Sequence, residues 1–285
     1  MTTIEDIVLG NDLRGVSHLR QHLPTDFCGQ AAELVLANPG TVFIATGFYI
    51  RAADAPESDG PPGAIAIGRA LASLGWRVVH VTDRYTVPII KPFVTSDTEV
   101  IDFPITDDES SRRFASGLLT EHDPSVLIAI ERCGLNENGM YLNMRGLDIS
   151  PQTARTDHLF LQHSRTVGIG DGGNEIGMGN LAEFIPTVAT LPPDPAVTRV
   201  DRLVLASVSN WGGYGLVAAL SRLLGRNLLP SIEEDRGLIT RLVDLGAVDG
   251  SSGESKYYVD NFTLDENAAV LERLRQLVQG APGTT

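Results

Sequence analysis

The sequence predicts an α/β protein: a mainly parallel sheet flanked by helices, with its site at the carboxyl ends of the strands. Three observations carry that expectation. Short continuous apolar runs, such as TVFIAT (41–46) and SVLIAI (125–130), read as strands buried on both faces. Helical patterns alternate with these runs, which argues for parallel strands joined by crossovers. Polar residues stand just past the apolar runs, where such sheets hold ligands. These are Asp83, Glu131, Asp171, and Ser209 with Asn210.

The elements follow in order. The strand at 41–46 ends at Gly47, and GAIAIGRALASLG (63–75) is a helix whose small residues suit close packing. WRVVHVT (76–82) and EVIDF (99–103) are the next strands. The segment 107–121 has acids at its start and reads as a helix with a capped N-terminus. After the strand at 125–130, a helix at 153–164 leads into the strand TVGIG (166–170). RVDRLVLASVS (199–209) is the longest strand expected, followed by SNWGGYG as a glycine-rich turn and a helix at 215–225. Two further helices cover 231–245 and 264–279. One α/β domain spans 1–285, and the Pro-rich LPPDP (191–195) is the best place for a linker or subdomain crossing.

Composition removes several classes of function. The chain has 285 residues, 42% hydrophobic, with a formal charge of −14. That acidity argues against nucleic acid and against anionic membranes as partners, because both need basic surface. No apolar run approaches the ~18 residues of a membrane span. The N-terminus MTTIEDIVLG lacks the basic region of a signal peptide, so a cytoplasmic protein is expected. Two cysteines, Cys28 and Cys133, are too few for a disulfide scaffold and read as reduced thiols.

The most informative string is GIGDGGNEIGMGN (168–180). Glycine is entropically costly, so this density marks a backbone that turns tightly or approaches a ligand closely. Between the glycines stand hard oxygen ligands suited to Mg²⁺, Mn²⁺ or Ca²⁺. Asp171 is the first ligand candidate. Glu175 and Asn174 are ligands, a base, or caps on a helix expected to begin near Gly172. A plain glycine-rich turn explains the glycines but not the clustered acids and amide. Gly168, Gly170 and Gly173 match GxGxxG, yet the acid that a dinucleotide fingerprint wants about 20 residues on is replaced by LPPDP. Asp171 and Glu175 would also repel a pyrophosphate.

Other chemistries find less support. No HExxH is present, and His158 and His163 lie on different faces of their helix. Only Lys91 and Lys256 are available for a Schiff base, and neither sits in a cofactor-like setting. Cys28 and Cys133 would have to face each other in a cofactor-free racemase, while a small buried cysteine is the common case. Glu57 and Asp59 in ESDGPPGA read as a solvated loop with a helix cap, and Asp249 in GAVDG as a turn former. Arg132 and Arg145 pair either with nearby acids or with substrate.

GIGDGGNEIGMGN, together with SNWGGYGL (209–216), GAVDG (246–250), ERCGLNENGMYLNMRG (131–146) and ESDGPPGA (57–64), resembles the D-glutamate cyclase family. The resemblance spans roughly 41–260. It implies a lyase that interconverts D-glutamate and 5-oxo-D-proline plus water. The residues suit that reaction. The α-amine must lose a proton to a base, and a divalent cation (Mn²⁺ or Mg²⁺) would neutralise the γ-carboxylate. Glu175 and Glu131 are the catalytic candidates. Asp171, Glu175 and Asp249 are the metal candidates. Asn174, Ser209, Asn210 and Arg145 are the candidates for binding an acidic amino-acid substrate. A homo-oligomer is the expected assembly. A metal-dependent phosphate-ester hydrolase and a non-catalytic binder of acidic amino acids stay open as alternatives.

Overall fold

The computed structural model describes residues 2–95 and 98–280. Six parallel strands form the central sheet: β1 (Thr41–Thr46), β4 (Arg77–Thr82), β5 (Glu99–Asp102), β6 (Val126–Ile130), β7 (Thr166–Gly170) and β8 (Arg202–Leu205). Two small hairpins, β2 (Tyr49–Ile50) with β3 (Ala55–Pro56) and β9 (Tyr258–Val259) with β10 (Phe262–Thr263), lie outside it. The order across the sheet is β5-β4-β1-β6-β7-β8. The chain winds outward from β1 to β5, then returns to start β6 on the other side of β1. That reversal opens a crevice beyond the carboxyl ends of β1 and β6. The register Ile130↔Ile169 brings Glu131, the residue after β6, level with Gly170, one position before Asp171.

Helices cover both faces. The nine are α1 (Ile4–Val8), α2 (Phe27–Leu36), α3 (Pro61–Ala72), α4 (Val87–Ile90), α5 (Asp108–His122), α6 (Asp157–Phe160), α7 (Ser209–Leu224), α8 (Ile232–Asp244) and α9 (Leu264–Gln279), counted among the described residues. Phe43 of β1 packs on His122 of α5, while His80, level with the next residue Ile44, lies against Gly68 of α3. Successive strand residues point to opposite faces, so α3 and α5 are on opposite sides of the sheet. The core strands β1, β6 and β7 are almost wholly buried, which is why their sequences run apolar without alternation. His80 is buried among them, and that burial pushes its pKa down to about 4. Capping fixes several helix starts. Asp107 accepts from Ser110, and Ser231 with Glu234 and Thr263 with Glu266 form capping boxes.

Three expectations change. The strand expected at 199–209 shortens to Arg202–Leu205, because Ser209 already begins α7. SNWGG is that helix's first turn: Cβ atoms at Gly212 and Gly213 would stand 2.6 Å from Ile169 and 3.0 Å from Gly63, so the glycines allow close packing of a helix. The helix expected at 153–164 reduces to Asp157–Phe160, preceded by a 3-10 turn at Ser150–Gln152. In the segment 191–195, Leu191 and Pro192 are buried and Asn136 donates to Asp194 at 2.7 Å, which leaves the subdomain crossing expected there neither supported nor contradicted. Among the described residues no helix is long and apolar enough to cross a membrane.

Candidate active site

The start of α7 is where the site converges. The backbone N–H of Ser209 donates to Asp59 Oδ2 at 2.9 Å and to Asp171 Oδ2 at 3.1 Å, and that of Asn210 to Asp59 Oδ1 at 2.8 Å. Free N–H groups and the positive end of the helix dipole explain why two carboxylates gather there. Asn210 returns the arrangement: its Oδ1 accepts from Gly60 and Gly63 at 3.0 and 2.9 Å, capping α3. Thus α3 and α7 cap each other through Asp59 and Asn210. Ser209 Oγ donates to Glu131 Oε2 at 2.6 Å.

Glu175 closes the loop after β7 rather than starting a helix. Its Oε1 accepts the N–H groups of Asp171 (3.1 Å) and Gly172 (2.6 Å), and its Oε2 that of Gly173 (2.8 Å). A Cβ at Gly170 or Gly172 would come within 3.1 and 2.9 Å of this carboxylate, so the glycines make room for it. The expected helix near Gly172 does not form. Gly173 and Gly177 take φ of 97° and 104°, and Ile176 donates instead to Arg132 O across a short bridge between Cys133 and Glu175. Only a 3-10 turn at Met178–Leu181 follows.

A cleft of about 350 Å³ opens over these residues, lined among others by Glu57, Glu131, Asp171, Asn174, Glu175 and Arg145. Small-molecule sites span about 300–1,000 Å³. Two groups of three carboxylates have oxygens within 4.8 Å of one another: Asp59–Asp171–Asp260 and Glu131–Asp171–Glu175. All are buried, and such groups could hold a metal ion. Glu57 is 5% exposed, and its Oε1 has no hydrogen-bond partner. Burial first, then the neighbouring carboxylates, pushes Glu57, Asp59 and Glu131 well above the usual carboxylate range. Burial also lifts Asp171 to about 6 and Asp260 to about 7, although the Arg14 guanidinium pulls both down. Six carboxylates therefore crowd around the Arg14 guanidinium, an arrangement that calls for protons or a further cation.

The remaining sequence candidates fall as follows. Asn174 Nδ2 donates to Leu142 O at 2.8 Å and ties the 131–146 loop to the site. Arg145 is exposed on the rim of the cleft. Asn210 faces α3 rather than the cleft. Asp249 is fully buried, but Oδ1 accepts from Asn261 and Oδ2 from Ser252, so it shapes its own turn and stands outside both carboxylate groups. Asp83 pairs with Arg132 at 2.6 Å, a buried link between strand ends. Cys28 and Cys133 are free and buried in separate clusters. Glu57 and Asp59 are inside the site, where sequence read a solvated loop: their neighbours are α7 and the turn at 248, not water.

Arg14 and Asp260 were not visible as site residues in the sequence. Arg14 Nη1 lies 2.5 Å from Asp171 Oδ1 and Nη2 lies 2.8 Å from Asp260 Oδ2. NDLRG carries only turn composition, and Asp260 sits in a hairpin bend with φ of 52°. Neither has a local signal.

Human "D-glutamate cyclase, mitochondrial" is 34% identical over 208 residues, covering 66% of this chain and 34% of the relative. The match thus spans about a third of that protein's length. A solved actinorhodin polyketide ketoreductase with NADPH aligns over 86% of this chain and 91% of its own, at 12% identity and a TM-score of 0.29, too low to bear on the fold. The family model described as "D-glutamate cyclase-like, C-terminal" matches residues 4–275, nearly the whole chain. The chain belongs to the D-glutamate cyclase-like, C-terminal family.

Proposed function

We propose that this protein is a metal-dependent lyase that interconverts D-glutamate and 5-oxo-D-proline plus water. The observation that carries this reading is the meeting of Glu131, Asp171 and Glu175 on one cleft in a chain of this family. In the closing direction the α-amine nitrogen bonds to the γ-carboxyl carbon. One carbon–oxygen bond breaks, and that oxygen leaves as water with two protons taken from the amine.

The residues present fit a divalent cation such as Mn²⁺ or Mg²⁺. Their donors are hard oxygens at short mutual distance, and Glu57 Oε1 beside them lacks a partner. Asp171 and Glu175 would hold the ion, with Glu131 beside them. When bound, the ion would neutralise the γ-carboxylate and favour the oxyanion that develops on it.

The chain's own groups do the rest. Glu131 is the better base: it lines the cleft and Ser209 Oγ orients one of its oxygens. Glu175 accepts three backbone N–H groups, so besides offering a remaining lone pair to the ion it holds the loop that presents Asp171. Arg145 and Arg51, both exposed on the rim, would meet the substrate's α-carboxylate.

The test is to incubate the purified chain with D-glutamate, L-glutamate, 5-oxoproline and a generic phosphate ester, with and without Mn²⁺. Metal-dependent formation of 5-oxoproline from D-glutamate is expected. Turnover of the phosphate ester alone would make the protein a hydrolase. Binding of acidic amino acids without any turnover would make it a carrier.

A further inference from the structure

The two carboxylate groups share Asp171, but they are not equivalent. Asp59–Asp171–Asp260 already surrounds a positive charge, because the two amino groups of Arg14 reach Asp171 at 2.5 Å and Asp260 at 2.8 Å. In Glu131–Asp171–Glu175 the Arg14 guanidinium pairs with Asp171 alone among the described residues, and all three acids line the open cleft together with Glu57, whose Oε1 is buried and unpartnered.

Arg14 is delivered by a built turn. The Asp12 carboxylate accepts the backbone N–H groups of Arg14 (2.9 Å), Gly15 (2.8 Å) and Ser17 (2.9 Å). The Thr190 hydroxyl donates to the Arg14 carbonyl from the far side. Gly15 takes φ of 82°, and a Cβ there would meet Thr190 at 3.1 Å. The guanidinium is thus held over the acids before any ligand arrives, and its side chain is only 23% exposed.

Carboxylate sites that hold two ions place them about 3.5–4 Å apart, clamped by shared ligands. Asp171 has the place of such a shared ligand. Resting on the metal reading above, we propose that Arg14 is the permanent second cation of this site: it fills Asp59–Asp171–Asp260 and leaves one exchangeable divalent ion to Glu131–Asp171–Glu175. The planar fork of arginine suits this role, because it bridges two carboxylates and never loses its charge. The site then needs one ion from solution rather than two, and the N-terminal turn becomes part of the metal-binding machinery.

The experiment is the stoichiometry of Mn²⁺ binding to the full chain, by calorimetry and by the paramagnetic resonance signal of free Mn²⁺. Wild type is expected to bind one ion per chain. Arg14→Ala and Arg14→Gln are expected to bind two, since the vacated carboxylates recruit a second. Gln retains a hydrogen-bond donor without the charge, so it stands in should the Ala variant fail to fold. Two ions in wild type, or one in both folded variants, overturns the assignment. No ion in wild type removes the metal reading itself, and the assignment with it.

Discussion

Replacing Glu175 by Gln separates the roles open to that residue. The carboxylate accepts three backbone N–H groups, at 3.1, 2.6 and 2.8 Å. A glutamine oxygen in the Oε1 position keeps two of them. Its amide then faces the Gly173 N–H, donor against donor. A hydrogen bond to a charged group is worth about 1.5–3 kcal/mol, and a buried unsatisfied donor costs about 1–3 kcal/mol. Relief of repulsion with Glu131 and Asp171 offsets part of this, so a net loss of about 2–4 kcal/mol is expected. At about 2–4 °C per kcal/mol for a chain of this size, Tm falls by roughly 5–15 °C. Turnover and Mn²⁺ affinity should fall with it, because the loop no longer presents Asp171. Melting, metal binding and turnover of Glu175→Gln, measured in one buffer, test this. A variant that melts like wild type and binds metal but loses about 10²–10⁴-fold in turnover would make Glu175 the base and refute the loop role.

Three further substitutions probe the frame. Asp235 accepts from Tyr214, and burial pushes its carboxyl up to about 6, so the fold favours the protonated form. Its stabilising contribution is therefore full below about pH 4 and lost as pH rises through about 6, amounting to up to about 3 kcal/mol. Asp235→Asn, permanently neutral, should gain on wild type by that amount between pH 4 and 7 in urea unfolding, and parallel pH curves would contradict it. A Cβ at Gly63 would stand 2.5 Å from Ile130 Cδ1 and 3.2 Å from the Asn210 Cα, so Gly63→Ala should cost about 1–3 kcal/mol and weaken Mn²⁺ binding by prising α3 from α7. The exposed helical Gly117, with nothing within 4 Å, is the control: Gly117→Ala should gain about 0.5–1 kcal/mol.

Local pattern carried most of the frame. Helix α9 begins where Thr263 and Glu266 form a capping box, and strands β1 and β7 match their apolar runs. Where glycine served packing rather than turning, as at Gly212 and Gly213, the pattern misled and a helix start read as a loop. The helices before residue 40, Ile4–Val8 and Phe27–Leu36, went unread. The same division holds for the site. Asp171, Glu131 and Ser209 were legible because they stand next to strand ends in the chain. Arg14 and Asp260 were not, because their meaning lies in each other and in Asp171, and no local spacing records a contact made across the fold. Glu57 and Asp59 were misread because ESDGPPG has the composition of a solvated loop, and only the arrival of α7 buries it.

The mutual capping of α3 and α7 has a bearing on biosynthesis. Asp59 and the N–H of Ser209 are 150 positions apart, as are Gly60 and Asn210. A chain emerging from the ribosome holds the first acids of the site long before their partners exist. Until α7 arrives, Asp59 has no helix N-terminus to neutralise it and α3 has an uncapped start. Until Asp260 follows, Arg14 has one carboxylate fewer to hold it. The mutual cap, and with it the neutralisation of Asp59, is therefore completed only after residue 210 has been made.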